Sequence, residues 1–189
     1  MTKVLIVYAT DYQNTFKMAE AVAAGVNSET NCAAVLKPAE QAGADDLADC
    51  QALILGTPVH MGSPDWRVKK FIDSVCSQAW MKNSMIGKVG GVFVSGSGYG
   101  NSGGGAEIAM LALLNNLAEL GMILIPLPKS TPGYAEAGLQ WGPCARTAGV
   151  NMEQVGVSKG ALQAAHHHGA NIARAAVALS NSGIFTGNL

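Results

Sequence analysis

The sequence predicts an α/β protein built on a doubly wound, five-stranded parallel sheet with helices on both faces. Three observations carry that prediction. Short, continuous apolar runs recur along the 189 residues, as expected of strands buried on both sides. The segments between them place apolar residues at helical spacing. Polar or glycine-rich turns directly follow several of the strands and precede helices, the pattern of alternating strand–helix units.

Val4–Tyr8 is the first buried run. The segment after it sets Met18, Val22 and Val26 four apart, a helical face that ends near Gly25 to Asn27. Cys32–Lys37 reads as the second strand and Ala42–Cys50 as a brief helix. Gln51–Gly56 is the third strand, and Thr57–Gly62 follows it as a turn. Ser63-Pro64-Asp65 has the chemistry of a helix start, with a hydroxyl cap, proline at the first helical position and an acid in the first turn. Val68, Phe71, Ile72 and Val75 continue that helix at i, i+3, i+4 and i+7.

Cys76–Gly87 is a connection carrying Trp80. Lys88–Ser95 is the fourth strand, and Gly96–Gly105 is a glycine-dense loop. Met110, Leu113, Leu114 and Leu117 mark the next helix, which Gly121 closes. Met122–Leu127 is expected as the fifth strand. Pro128–Val157 is long, polar and rich in Gly and Pro, a composition typical of a functional or partly structured excursion. The last helix starts near Ser158, with Leu162, Ala165, Gly169, Ile172, Ala176 and Leu179 as its stripe. These elements make one domain over residues 1–180, with a loose tail over 181–189.

Composition narrows the partners. Charged residues are 13% of the chain and the net charge is −1, so no basic patch or acidic tail invites nucleic acid or a membrane surface. The apolar runs are far too short to span a bilayer, and a cytoplasmic protein is expected. Cys32, Cys50, Cys76 and Cys144 show no metal-binding spacing and read as small apolar residues. His166-His167-His168 cannot converge on one ion, because successive helical residues point about 100° apart. They are expected on a solvated face, and no metal is predicted.

In a doubly wound sheet, ligands sit beyond the carboxyl ends of the strands, at the switch in strand order. Thr10–Thr15, Thr57–Gly62 and Ser95–Gly105 all fall there. Thr10–Thr15 runs from a strand into a helix, where unpaired backbone N–H groups favour an anion such as a phosphate. The same hydroxyls could simply cap the helix.

With these loops in place, the chain resembles the flavodoxin-like superfamily. It is most similar to the tryptophan-repressor-binding-protein type of NAD(P)H:quinone oxidoreductases. Val4–Tyr8 with Thr10–Thr15 and Met18-Ala19, then Leu55-Gly56-Thr57-Pro58, carry the resemblance. Gly103-Gly104-Gly105-Ala106-Glu107, Leu120-Gly121-Met122 through Ile125-Pro126, and Trp141-Gly142 before Thr147-Ala148-Gly149 complete it. It extends over about residues 3 to 180.

The resemblance implies FMN as cofactor and NAD(P)H as co-substrate, with two electrons passed to a quinone-type acceptor. It assigns Thr10, Tyr12, Gln13, Asn14 and Thr15 to the FMN phosphate. It assigns Pro58, Val59, His60, Met61 and Gly62, with Ser95, Gly96, Ser97, Gly98, Tyr99 and Gly100, to the isoalloxazine ring. It also implies a homodimer or homotetramer in which a neighbouring subunit supplies an aromatic, here Trp80, to the substrate side. His60 is a candidate proton donor or a solvent-facing loop residue, and Tyr99 a candidate aromatic wall. The alternative function is a flavodoxin-type one-electron carrier.

Four positions depart from the resembled pattern. Gln13 stands where glycine is usual, and Asp11 adds negative charge beside an anion site. Leu120 stands where a His near the ring is usual, and His60 where an Arg is.

Overall fold

Alternation within the first strand decides the layering of the molecule. In β1 (Thr2–Tyr8), Val4, Ile6 and Tyr8 face one side of the sheet and Leu5 and Val7 the other, and all five are buried. The structure, a computed structural model, describes residues 1–180 and 184–185. The remainder of the tail expected over 181–189 lies outside the described residues.

The chain continues through α1 (Asn14–Asn27), β2 (Cys32–Pro38), α2 (Ala44–Asp49) and β3 (Ala52–His60). β1 lies between β2 and β3 and is parallel to both, with Ile6 opposite Leu36 on one side and Leu5 opposite Leu53 on the other. The winding reverses between β1 and β3, and a crevice opens at the carboxyl ends of these strands.

After β3 comes a hairpin that the sequence reading did not foresee. β4 (Ser63–Pro64) turns back antiparallel on the end of β3, with Val59 opposite Pro64 and His60 opposite Ser63. Met61 (φ 48°) and Gly62 (φ 77°) both take left-handed backbone at the tip, as a tight two-residue hairpin turn requires. The helix start therefore moves from Ser63 to Asp65, whose carboxylate accepts from the Arg67 backbone N–H. α3 (Trp66–Phe71) runs through a π-turn at Ile72–Cys76 into α4 (Ser77–Met81).

β5 (Val89–Gly96) pairs parallel with β3, and α5 (Ala106–Glu119) follows it. The fifth position in the sheet corrects the sequence expectation. Of Met122–Leu127, only β6 (Ile123–Leu124) pairs with β5, beside its start. Pro126 and Pro128 have no N–H to extend the ladder, and the chain leaves the sheet through α6 (Tyr134–Ala137) and β7 (Gly138–Leu139). It returns as β8 (Gly142–Arg146), parallel to the far end of β5, with Val94 opposite Cys144. One strand position is thus filled by two separate segments.

α1 and the terminal helix α7 (Lys159–Leu179) cover one face, where Met18, Val22, Ile172 and Ala173 meet Val4, Ile6 and Phe93. α2 to α5 cover the other, with Phe71, Met110, Leu113 and Leu117 over Leu5, Leu55 and Val92. Each large side chain so buried contributes about 2 kcal/mol. α1 and α7 approach closely through two glycines. A Cβ on Gly25 would lie 1.8 Å from the His166 carbonyl oxygen, and one on Gly169 would lie 2.1 Å from that of Val22.

The histidine run departs from the solvated face expected of it. His166 and His167 are half-buried, but His168 is fully buried. It lies three residues after Ala165 and four before Ile172, within the same apolar stripe. Burial pushes its pKa down to about 4, offset in part by the Val92 backbone nearby. Neither ring nitrogen has a well-formed hydrogen bond among the described residues.

Candidate active site

The helix that begins the site is open at its N-terminus. Gln13, the residue before α1, has left-handed backbone (φ 63°, ψ 2°) and provides no side-chain cap, and the first turn contains no acid. Lys17 is the first helical residue whose N–H reaches back, to the Gln13 carbonyl. The amides of Asn14, Thr15 and Phe16 find no acceptor among the described residues. The Thr10 hydroxyl oxygen is buried and likewise unpartnered. Free donors at the positive end of a 14-residue helix can hold an anion, and a capped helix would have consumed them.

Three further segments meet this loop. Thr15 Oγ1 lies 2.8 Å from Ser95 Oγ in a buried contact that ties α1 to the end of β5. Gly96 lets Val59 approach, since a Cβ there would fall 2.8 Å from the Val59 Cβ. Ser97 Oγ donates to the Gly96 carbonyl (2.7 Å) and accepts from the backbone N–H groups of Thr147 (2.9 Å) and Ala148 (2.8 Å). The Arg146 guanidinium donates to the carbonyls of Ser102, Gly98 and Gly149, holding the glycine loop against the segment after β8.

The result is one cleft. Thr10, Asp11, Tyr12, Asn14 and Thr15 line it from the first loop, Pro58, Val59 and His60 from the second, and Ser95, Gly96 and Ser97 from the third. Thr147, Ala148, Met152 and Gln154 form a fourth wall, which the site residues chosen from sequence omitted. The Thr147-Ala148-Gly149 motif was its only trace there.

Other residues assigned from sequence lie off this lining. Gln13 shapes the turn through its backbone. Met61 and Gly62 stand at the hairpin tip, where Met61 is fully exposed. Gly98, Tyr99 and Gly100 form a separate turn held by the Gly100 N–H on the Val150 carbonyl (2.9 Å), and the Tyr99 ring is 72% exposed. Trp80 lines a different hollow with Cys76, Asn116 and Leu120, at the far end of α5.

Two of the departures from the resembled pattern, Asp11 and His60, prove to be partners. Asp11 Oδ2 lies 3.2 Å from His60 Nε2, and Asp65 Oδ2 lies 3.1 Å from His60 Nδ1. Arg67 Nη2 is 2.7 Å from both Asp11 Oδ1 and Asp65 Oδ2. Asp11, His60 and Asp65 bring metal-type ligand atoms within 4.8 Å of one another, but a guanidinium already bridges the two carboxylates. Asp65 is fully buried. Burial alone would push its carboxyl up, yet the hydrogen bonds and charge of Arg67, with His60, hold it below the usual range. The same carboxylate raises the Arg67 pKa further, so the guanidinium is a permanent cation. Cys144, by contrast, is pushed up to about 11 by burial and by Glu107, which leaves its thiol un-ionised and inert.

A doubly wound sheet whose switch point carries an uncapped helix start and a slot between close-approaching loops defines a flavodoxin-like nucleotide-binding protein. The pattern of the NADPH-dependent FMN reductase family matches residues 6–135. A flavodoxin of Aquifex aeolicus is 36% identical over 66% of this chain and 64% of its own length. An NAD(P)H dehydrogenase (quinone) of Cupriavidus metallidurans is 30% identical over 93% of this chain and 98% of that one. Among solved structures, a WrbA-like flavodoxin from Agrobacterium tumefaciens superposes with a TM-score of 0.72 and 27% identity, covering 95% of this chain and 99% of that one.

The chain belongs to the NADPH-dependent FMN reductase family. It is an oxidoreductase of flavodoxin-like fold that works with FMN and NAD(P)H.

Proposed function

We propose that the cleft holds FMN with its phosphate at Thr10–Thr15 and its ring between Pro58–His60 and Ser95–Ser97, and that the enzyme passes two electrons from NAD(P)H to a quinone-type acceptor. One observation carries the placement: the Thr10 hydroxyl, buried and unpartnered among the described residues, belongs to the same cleft as Asn14 and Thr15, whose amides are free. Bound FMN supplies the hydride chemistry, so no protein nucleophile is needed. The chain's own residues bind and orient. Thr10 and the α1 amides hold the phosphate, and Ser97, through Thr147 and Ala148, fixes the fourth wall.

His60 is the proton donor of this reading. Its side chain is 43% exposed at the cleft, and its Nδ1 faces the buried Asp65 carboxylate. Its Nε2 lies on the Asp11 side, 3.2 Å from Oδ2. Trp80, in α4, lines a hollow beside the end of α5 and apart from its own cleft, and in this reading it serves the cleft of a neighbouring copy in a homodimer or homotetramer. The exposed Tyr99, on the turn after β5, is the aromatic wall offered to the acceptor in this reading. A reducing, cytoplasmic setting suits four cysteines that are all free, and among the described residues no helix is long and apolar enough to cross a membrane.

The similarity to a flavodoxin supports a second reading, a one-electron carrier. A net charge of −1 does not support it, since carriers commonly use a strongly acidic face to steer docking. Purified protein with flavin absorbance that turns over NADH or NADPH with a benzoquinone, without added reductase, supports the enzyme. Reduction only through a separate reductase favours the carrier.

A further inference from the structure

We propose that Arg67 is a positioning residue that latches the phosphate loop to the second loop, and so sets the affinity for the phosphate of FMN. The proposal rests on the phosphate assignment made above.

The latch is a continuous chain of contacts. Thr57, fully buried at the end of β3, accepts the Asp65 backbone N–H at its Oγ1 (2.8 Å). Asp65 grips the guanidinium with both oxygens, Oδ1 from Nε (2.8 Å) and Oδ2 from Nη2 (2.7 Å). The other side of the guanidinium reaches the first loop, where Nη2 donates to Asp11 Oδ1 (2.7 Å) and Nη1 to the Thr10 carbonyl (3.4 Å). His60 closes the ring between the two carboxylates. Arg67 therefore holds the backbone of the very residue whose hydroxyl stands unpartnered at the anion site.

Asp11 acquires a purpose in this arrangement. Its carboxylate is paired with a guanidinium at hydrogen-bonding distance, so most of its repulsion of a phosphate is already cancelled. What remains is its mechanical role as the anchor by which Arg67 grips the loop. A loop fixed beforehand in its binding shape spares the ordering cost of binding. A lysine keeps the charge but not the planar fork that reaches Asp65 and the first loop together.

The test titrates the full chain, freed of flavin, with FMN and with riboflavin, which lacks the phosphate. Flavin fluorescence reports binding, and the Tm of the flavin-free protein reports folding. Wild type is expected to prefer FMN. R67K is expected to weaken FMN about tenfold while leaving riboflavin affinity near wild type. The Tm of the flavin-free protein is expected to fall, because the buried Asp65 loses part of its hydrogen bonding. D11N is expected to shift FMN affinity in the same direction, although it removes a negative charge beside an anion.

R67K that leaves FMN unchanged, or weakens FMN and riboflavin alike, overturns the latch. So does D11N that binds FMN as tightly as wild type or more tightly, which would make Asp11 only an electrostatic handicap. A wild type that binds FMN and riboflavin equally overturns the phosphate assignment itself, and the latch with it.

Discussion

Thr10 shows how a single atom can weigh against folding and in favour of binding. Its hydroxyl oxygen is buried without a partner among the described residues, a condition that costs about 1–3 kcal/mol. Thr10→Val removes the hydroxyl and keeps the shape. It is expected to raise the melting temperature of the flavin-free protein and to lower FMN affinity about tenfold. A variant that loses both stability and affinity would show that the hydroxyl is not reserved for the ligand. Gln13 makes the companion case. Its left-handed backbone costs a side-chain-bearing residue about 1 kcal/mol, partly offset in a glycine variant by backbone entropy. Gln13→Gly should be neutral or stabilise by up to about 1 kcal/mol in denaturant unfolding, and marked destabilisation would count against that account. The substitution was visible in the sequence as a departure from glycine. The pairing of Asp11 with Arg67 was not, because 56 residues separate them and neither residue type predicts the other.

Elements differ in how far their local chemistry fixes them. α7 begins where the sequence places it, at Ser158, which caps it through the Ala161 N–H, while β1 contains the apolar run Val4–Tyr8 but starts two residues earlier, at Thr2. The β4 hairpin escaped because Ser63-Pro64 is good helix-start chemistry. Only the left-handed pair Met61-Gly62 diverts it, and methionine does not advertise that backbone. The fifth strand escaped because a sequence run reveals apolar character and not how far the neighbouring edge extends. The α1–α7 crossing supplies a test at this scale. Gly25→Ala would put a methyl group 1.8 Å from the His166 carbonyl oxygen, within backbone that cannot yield cheaply. Thermal or denaturant unfolding should show a loss of about 3 kcal/mol, and a loss under about 1 kcal/mol would mean that the helices slide apart freely.

For the whole molecule, the switch point was legible because three of its four walls follow strands at one sheet edge. The fourth wall was hidden inside an excursion whose return to the sheet only tertiary pairing reveals. Global stability should carry the mark of His168. Its folded pKa of about 4 lies below the unfolded value of about 6.5, so the unfolded chain binds the extra proton first. Stability contributed by the neutral ring is intact above about pH 6.5 and falls as pH drops toward 4, by about 3 kcal/mol in total. His168→Leu should flatten that part of the pH–stability curve, and an unchanged slope would place the acid sensitivity elsewhere.

The divided fifth strand also sets an order of events during synthesis. The three walls anticipated from sequence are complete by residue 100. The fourth depends on β8, whose Cys144 pairs with Val94, and the flank of α1 at Gly25 that packs on α7 stays uncovered until α7 has emerged. Domains close as their last elements arrive, and pairings distant along the chain form slowly. A ribosome-bound chain that stops short of β8 can therefore present the first three walls but not the enclosed cleft, so under the proposed assignment flavin is expected to be retained only once β8 and α7 have been added.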